Sequence, residues 1–135
     1  MGGALNIIIP GTPITKKNSQ QLVYAGRPMI IPSKAYKDYR KACLGYIPPE
    51  AKLGIDHAVN LRCVYYMPTR RRVDLCNLIE ATCDILVDAG VLKDDNNQIV
   101  AAHDGSRVDL DRENPRVEIT IMPIVGEKTG GIQPF

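Results

Sequence analysis

Short apolar runs of strand length lie toward both ends of the chain, and one longer helical period lies between them. Residues 4 to 10, ALNIIIP, are short and β-branched, and Pro10, Gly11 and Pro13 close them, which marks a first strand. Residues 22 to 32, LVYAGRPMIIP, place Ala-Gly-Arg-Pro between two apolar runs and predict a hairpin. Ser33 then stands ready to cap a helix from Lys34 to about Tyr46. In that helix Lys34, Lys37 and Lys41, flanked by Arg40, make one basic face. The linker PPEAKLG leads to residues 57 to 67, HAVNLRCVYYM, whose alternation predicts a strand that Pro68 ends.

From Asp74 the period becomes 3.6. Leu75, Leu78, Ile79, Thr82, Ile85, Leu86 and Ala89 share one sector, and Asp74, Asn77, Glu80, Asp84 and Asp88 the opposite one. Asp74 is expected as N-cap or first-turn acid and Gly90 as the stop. Residues 97 to 103, NQIVAAH, and 116 to 122, RVEITIM, read as closing strands around a polar loop, DGSRVDLDRENP. The sum is a single small α+β domain over residues 1 to 125, with two main helices and a mixed sheet of about five strands. The tail, residues 126 to 135, is expected to be flexible.

Composition narrows the setting. A chain of 135 residues that is 44 % apolar suits one domain with its own core. No run of about 18 apolar residues is present to span a bilayer, and MGGALNIIIPGTP lacks the features of a signal peptide, so a soluble cytoplasmic protein is expected. Cys43, Cys63, Cys76 and Cys83 are too widely spaced for CxxC chemistry and are read as reduced thiols.

Charge changes the picture more. The net charge of +2 divides unevenly: residues 1 to 72 hold twelve Lys/Arg against three Asp/Glu, whereas residues 73 to 135 hold five against twelve. The densest positive run, Arg70, Arg71 and Arg72, runs into a helical segment that opens with the acid Asp74 and is followed by two more, Asp94 and Asp95. A basic surface suits a polyanion, which an acidic one repels unless a cation stands between them.

Carboxylates gathered beside phosphate have one well-understood use. Mg²⁺ takes oxygen ligands and keeps several waters, so one to three acids hold it against a phosphodiester. Asp74, Asp94 and Asp95 are the candidate ligands, with Glu80 and Asp84 in reserve. Arg70, Arg71 and Arg72 offer planar forks for phosphate oxygens, and Lys16 and Lys17 a second contact. Simpler roles exist for each: a helix cap, a wet helix face, a polar loop. Geometry also sets a condition, since Asp74 and Gly90 lie about 24 Å apart along a helix. Five extended residues return at most about 17 Å. Asp95 therefore nears Asp74 only if the chain doubles straight back, the helix begins late, or a second subunit supplies the partner acid.

At these residues the sequence resembles the RusA family of Holliday junction resolvases. The likeness is carried by the basic run, then Asp74, Leu75, Asn77 and Leu78 opening a helix, Asp84, Ala89 with Gly90, and Asp94 with Asp95 before Gln98. Pro13 with Lys16, Lys17 and Asn18 resembles the family's entry, and RVEITI its last strand. The resemblance covers about residues 4 to 122 and implies a RusA-like fold. It also implies a homodimeric, Mg²⁺-dependent endonuclease, with Mn²⁺ as substitute, that cuts branched double-stranded DNA at four-way junctions in recombination and repair.

By position the family's first metal-binding aspartate falls on Asp74 and its third on Asp95, while one extra residue before Gln98 leaves Asp94 as an equal candidate. Cys76 stands where the second aspartate is expected, and Glu80 where an assisting lysine is expected. Cys76 and Glu80 share a helix face, so Glu80 is a candidate replacement ligand or orienter of water. A Cys76 thiolate ligand, which favours Zn²⁺ or Mn²⁺, is the competing idea. The alternative function is a junction-binding protein whose catalysis has lapsed.

Overall fold

The computed structural model describes residues 3–15, 20–24 and 28–124, with backbone alone for 20–24 and 28–32. The chain runs β1 (Leu5–Pro10), β2 (Gln20–Tyr24), β3 (Pro28–Pro32), α1 (Lys34–Tyr46), a 3₁₀ turn (Pro49–Ala51) and β4 (Val59–Met67). It continues through α2 (Leu75–Asp88), β5 (Val100–Ala102), β6 (Arg107–Leu110) and β7 (Arg116–Pro123).

β4 lies at the centre of the main sheet, and its composition explains why: Leu61, Cys63, Val64 and Tyr65 are all buried, so it needs cover on both faces. On one edge it pairs antiparallel with β7, from Val59 opposite Pro123 to Tyr66 opposite Arg116. β7 in turn pairs antiparallel with β1. The other edge of β4 takes two short parallel partners in succession, β5 beside Val59 and Asn60 and β6 beside Val64 to Met67. The result is the expected α+β domain with two helices and a mixed five-stranded sheet. β2 and β3 form a separate antiparallel pair where the hairpin was expected, and their turn, 25–27, lies outside the described residues.

Two strand boundaries differ from expectation. The segment read as a polar loop contains β6, whose hydrogen bonds come from the open edge of β4, so an exposed edge strand forms without an apolar pattern. The strand expected over 97 to 103 shortens to Val100–Ala102 because Asn96 organises a turn before it. Asn96 Oδ1 accepts from the Gln98 N–H at 2.9 Å, and its carbonyl accepts from Ile99 and Val100.

The core forms where the inner sheet face meets α2: Ile7, Ile9, Val117, Ile119 and Tyr65 pack with Leu78, Ile85 and Leu86. Each such side chain contributes about 1.5–3 kcal/mol by leaving water. α2 ends at both predicted residues. Asp74 is the N-cap, its Oδ1 accepting from Cys76 N at 2.9 Å and more weakly from Asn77 N at 3.4 Å. Gly90, at φ +81°, closes the other end as Gly90 N donates to Val87 O and Val91 N to Leu86 O. The helix is more enclosed than its pattern predicts, for Ala81 and Cys83 are buried too. That narrows its wet side to a stripe spaced by four: Cys76, Glu80, half-buried Asp84, and Asp88.

Candidate active site

Beyond Gly90 the chain is pinned beside an earlier segment. Gly54 N donates to Gly90 O, Ile55 N to Val91 O, and Lys93 N to Ile55 O. Leu92 N also reaches Leu86 O at 3.3 Å, so the chain has begun to double back along α2. Asp94 next uses its own carboxylate to shape a turn: Oδ1 accepts from Asp95 N at 2.7 Å and Oδ2 from Asn96 Nδ2 at 3.2 Å. The two neighbouring acids thereby part. Asp94 borders a hollow with Asp56, Lys93, Asn96, Gln98 and Ile99, whereas Asp95 borders the cleft between α1 and α2.

That cleft, about 500 Å³, is lined by Tyr36, Lys37 and Arg40 from α1, Asp84, Val87 and Asp88 from α2, and Asp95. Arg40 spans it, donating from Nε to Asp88 Oδ2 at 2.9 Å and also from Nη2. Burial pushes the thiol of Cys83, on the same helix, up to about 12, and the charges of Cys63, Asp95, Asp84 and Glu80 add to the shift. Glu80 is exposed on the stripe four residues before Asp84.

Asp74 does not join this wall. It lies ten residues before Asp84 on the helix, about 15 Å along the axis. The helix does not begin late, so of the three geometric routes one applies in part: the chain doubles back, but toward the Asp84 end of α2.

A second cleft, about 470 Å³, opens at the other end of α2, where Arg71 and Arg72 face Thr12 to Thr15 across Met67, Pro68, Thr69 and Val73. All three arginines are exposed; Arg70 does not line the cleft. Lys16 and Lys17 lie outside the described residues, as do positions 125–135. His57 and His103 line neither cleft, their rings lying 3.3 Å from the carbonyls of Ala58 and Leu61. Cys76 is exposed and the other three free cysteines are buried. Tyr65 is buried and Arg116 stacks over Tyr66 at 3.9 Å, so neither ring is an open platform for a base.

Sequence reasoning missed that the basic face of α1 meets the acidic stripe of α2. Its signal was present in the one-turn spacings of Lys37 with Arg40 and of Asp84 with Asp88, although nothing in the sequence places the helices side by side.

Among the described residues no three His, Cys, Asp or Glu side chains are grouped so as to hold a metal ion. The donor chemistry of the cleft still fits a hard, largely hydrated divalent cation. Asp84 and Asp95 present carboxylate oxygen only, and Mg²⁺ needs no more than one or two such groups when it keeps its waters. Among the described residues, three aspartates stand against Lys37 and Arg40 around the cleft.

A small α+β domain with an arginine-lined cleft at one end of a helix and a carboxylate-lined cleft at the other is suited to acting on a phosphodiester backbone. Residues 10–122 match the family model for endodeoxyribonuclease RusA, and the chain belongs to that family. A comparison with curated proteins found no match.

Proposed function

We propose that the chain is a structure-selective endonuclease that hydrolyses phosphodiesters at four-way DNA junctions, in recombination and repair. The observation that carries this reading is the endodeoxyribonuclease family match from the end of β1 to β7. The clefts supply its local chemistry. Arg71 and Arg72 bind backbone phosphates with paired N–H donors, and Lys16 and Lys17, which follow Thr15 in the chain, extend that contact.

Asp95 and Asp84 are the residues that would hold Mg²⁺ or Mn²⁺, with Glu80 one turn before Asp84 on α2. Such an ion offsets phosphate charge and lowers the pKa of a bound water. Asp94, fastened in its own turn, supports Asp95 by fixing its backbone. Asp74, about 15 Å from Asp84 along α2, would join such a site only from a second copy of the chain.

A homodimer fits the task, because a C₂ pair matches the two-fold symmetry of a junction that needs two incisions. Action on DNA in the cytoplasm belongs to this reading through the family match; no helix among the described residues is long and apolar enough to cross a membrane. The test is cleavage of an end-labelled four-way junction with Mg²⁺, against linear duplex of equal length. Paired incisions at the branch, abolished by chelation, are expected; no cleavage with either Mg²⁺ or Mn²⁺ overturns the reading. One observation favours a second reading, a junction-binding protein without catalysis: the exposed Cys76 occupies a position where a carboxylate is expected. Salt-sensitive junction binding without incision would support it.

A further inference from the structure

The basic face of α1 has no part in the function proposed above, and its four cations differ in what they touch. Lys34 is paired with Asp38 one turn later at 2.7 Å. Arg40 is held by Asp88. Lys41 is exposed and does not line the cleft. Lys37 lines it opposite Asp84 and Asp95, and among the described residues it makes no ion pair or side-chain hydrogen bond.

The rotation of α1 that aims Lys37 there is fixed by packing. Ser33 caps the helix, its hydroxyl accepting from Tyr36 N at 3.2 Å and its carbonyl from Lys37 N at 3.0 Å. Tyr36 and Cys43, seven residues apart and both buried, pin one face. Lys37 and Arg40, three apart, then project together toward α2. Arg40 bridges the helices through Asp88, so its charge is already answered. An acidic wall beside a nucleic-acid backbone needs an uncommitted cation on the facing side, and Lys37 is the cleft's cation in that position.

We infer that Lys37 contacts a DNA backbone phosphate and holds the strand over Asp84 and Asp95, an inference that rests on the nuclease reading and adds α1 as the second wall of its substrate track. A lysine suits this place because it acts as a flexible point charge and does not demand the planar geometry of a guanidinium. The alternative is that Lys37 only balances the acids; its removal would then leave the salt slope of DNA affinity unchanged.

The experiment uses the full chain with a fluorescent four-way junction, and Ca²⁺ in place of Mg²⁺ for the binding measurements. Affinity is followed from about 50 to 200 mM salt, and cleavage is measured separately in Mg²⁺. Lys37→Ala is expected to reduce the slope of log affinity against log salt by about 0.9, so that affinity falls about threefold less across that range. It is also expected to raise KM several-fold with kcat nearly unchanged. Lys37→Arg should keep the slope. Lys41→Ala, on the same helix but outside the cleft, should leave slope and KM at wild-type values. If Lys37→Ala matches Lys41→Ala while the wild type binds and cuts, the inference fails and the nuclease reading stands. A wild-type chain without salt-dependent affinity for the junction overturns both.

Discussion

Removing the hydroxyl of Thr82 should destabilise the fold more than removing the hydroxyl it meets on Tyr65, and removing both should cost less than removing the first alone. Tyr65 on β4 has no exposure and Thr82 on α2 is 5 % exposed; their hydroxyl oxygens lie 2.7 Å apart. Thr82 donates its own proton to Leu78 O at 3.0 Å, so in the shared bond the Tyr65 hydroxyl is the donor. Thr82→Val keeps the branched shape and the helix preference but leaves a buried phenol without its acceptor, a loss of about 1–3 kcal/mol. Leu78 O still accepts the backbone N–H of residue 82, so no further group is orphaned.

Tyr65→Phe removes the donor itself and leaves the Thr82 hydroxyl bonded to Leu78, at about 0.5–1.5 kcal/mol. In the double variant two apolar groups meet and no donor is stranded, so adding Tyr65→Phe to Thr82→Val should recover stability. Urea titrations followed by circular dichroism give the four free energies of the cycle. Equal single losses that simply add would refute the reasoning, and would mean that another acceptor takes the phenol. The Cys63 thiol, which also interacts with the Tyr65 hydroxyl, is a poor acceptor.

Asp95→Asn should lower junction cleavage by more than about 100-fold, the scale for losing one charged group at a reacting phosphate, while Asp94→Asn stays within about tenfold; the reverse order would move the centre to the other side of the 94–96 turn. Gly105→Ala should cost about 1–2 kcal/mol, because φ is +86° and an added Cβ would stand 2.9 Å from Arg62 Cδ and Nε, read as a lowered urea midpoint. A thiol reagent should modify Cys76 alone in the folded chain and all four cysteines after unfolding, counted by mass; rapid native labelling of a second thiol would contradict the packing of Cys43, Cys63 and Cys83. Burial pushes Cys43 up to about 11 and Cys63 and Cys83 up to about 12, from an ordinary 9.0. The folded chain keeps protons that the unfolded chain sheds, so this stability is complete below about pH 9 and declines toward 11–12. A urea midpoint at about pH 10 no lower than at about pH 7 would count against it.

What could be read from the chain alone was whatever a residue imposes on its own neighbourhood. Asp74 and Gly90 bound α2 because a carboxylate can cap the N–H groups beside it and a glycine can turn left-handed with little strain. Ser33 opens α1 by the same local bonding. β4 showed itself by alternation, since a sheet with a buried face repeats every second residue, and β7 as a strand closing the polar loop. β6 was hidden because the free edge of β4 makes it a strand, and that edge exists only after the sheet assembles.

The arginine run and the acids were equally visible, but their grouping was not. Asp94 and Asp95, adjacent in the chain, face different hollows because Asp94 bonds the backbone of its neighbour. Arg40 and Asp88, 48 positions apart, meet because both helices dock with apolar faces turned inward, leaving their charged flanks opposed. Capping and periodicity act over a few residues and are written locally, whereas a cleft between two helices depends on how separate elements bury their apolar surfaces together. Tertiary packing therefore decided which of the many acids share a wall, and which lysine faces them.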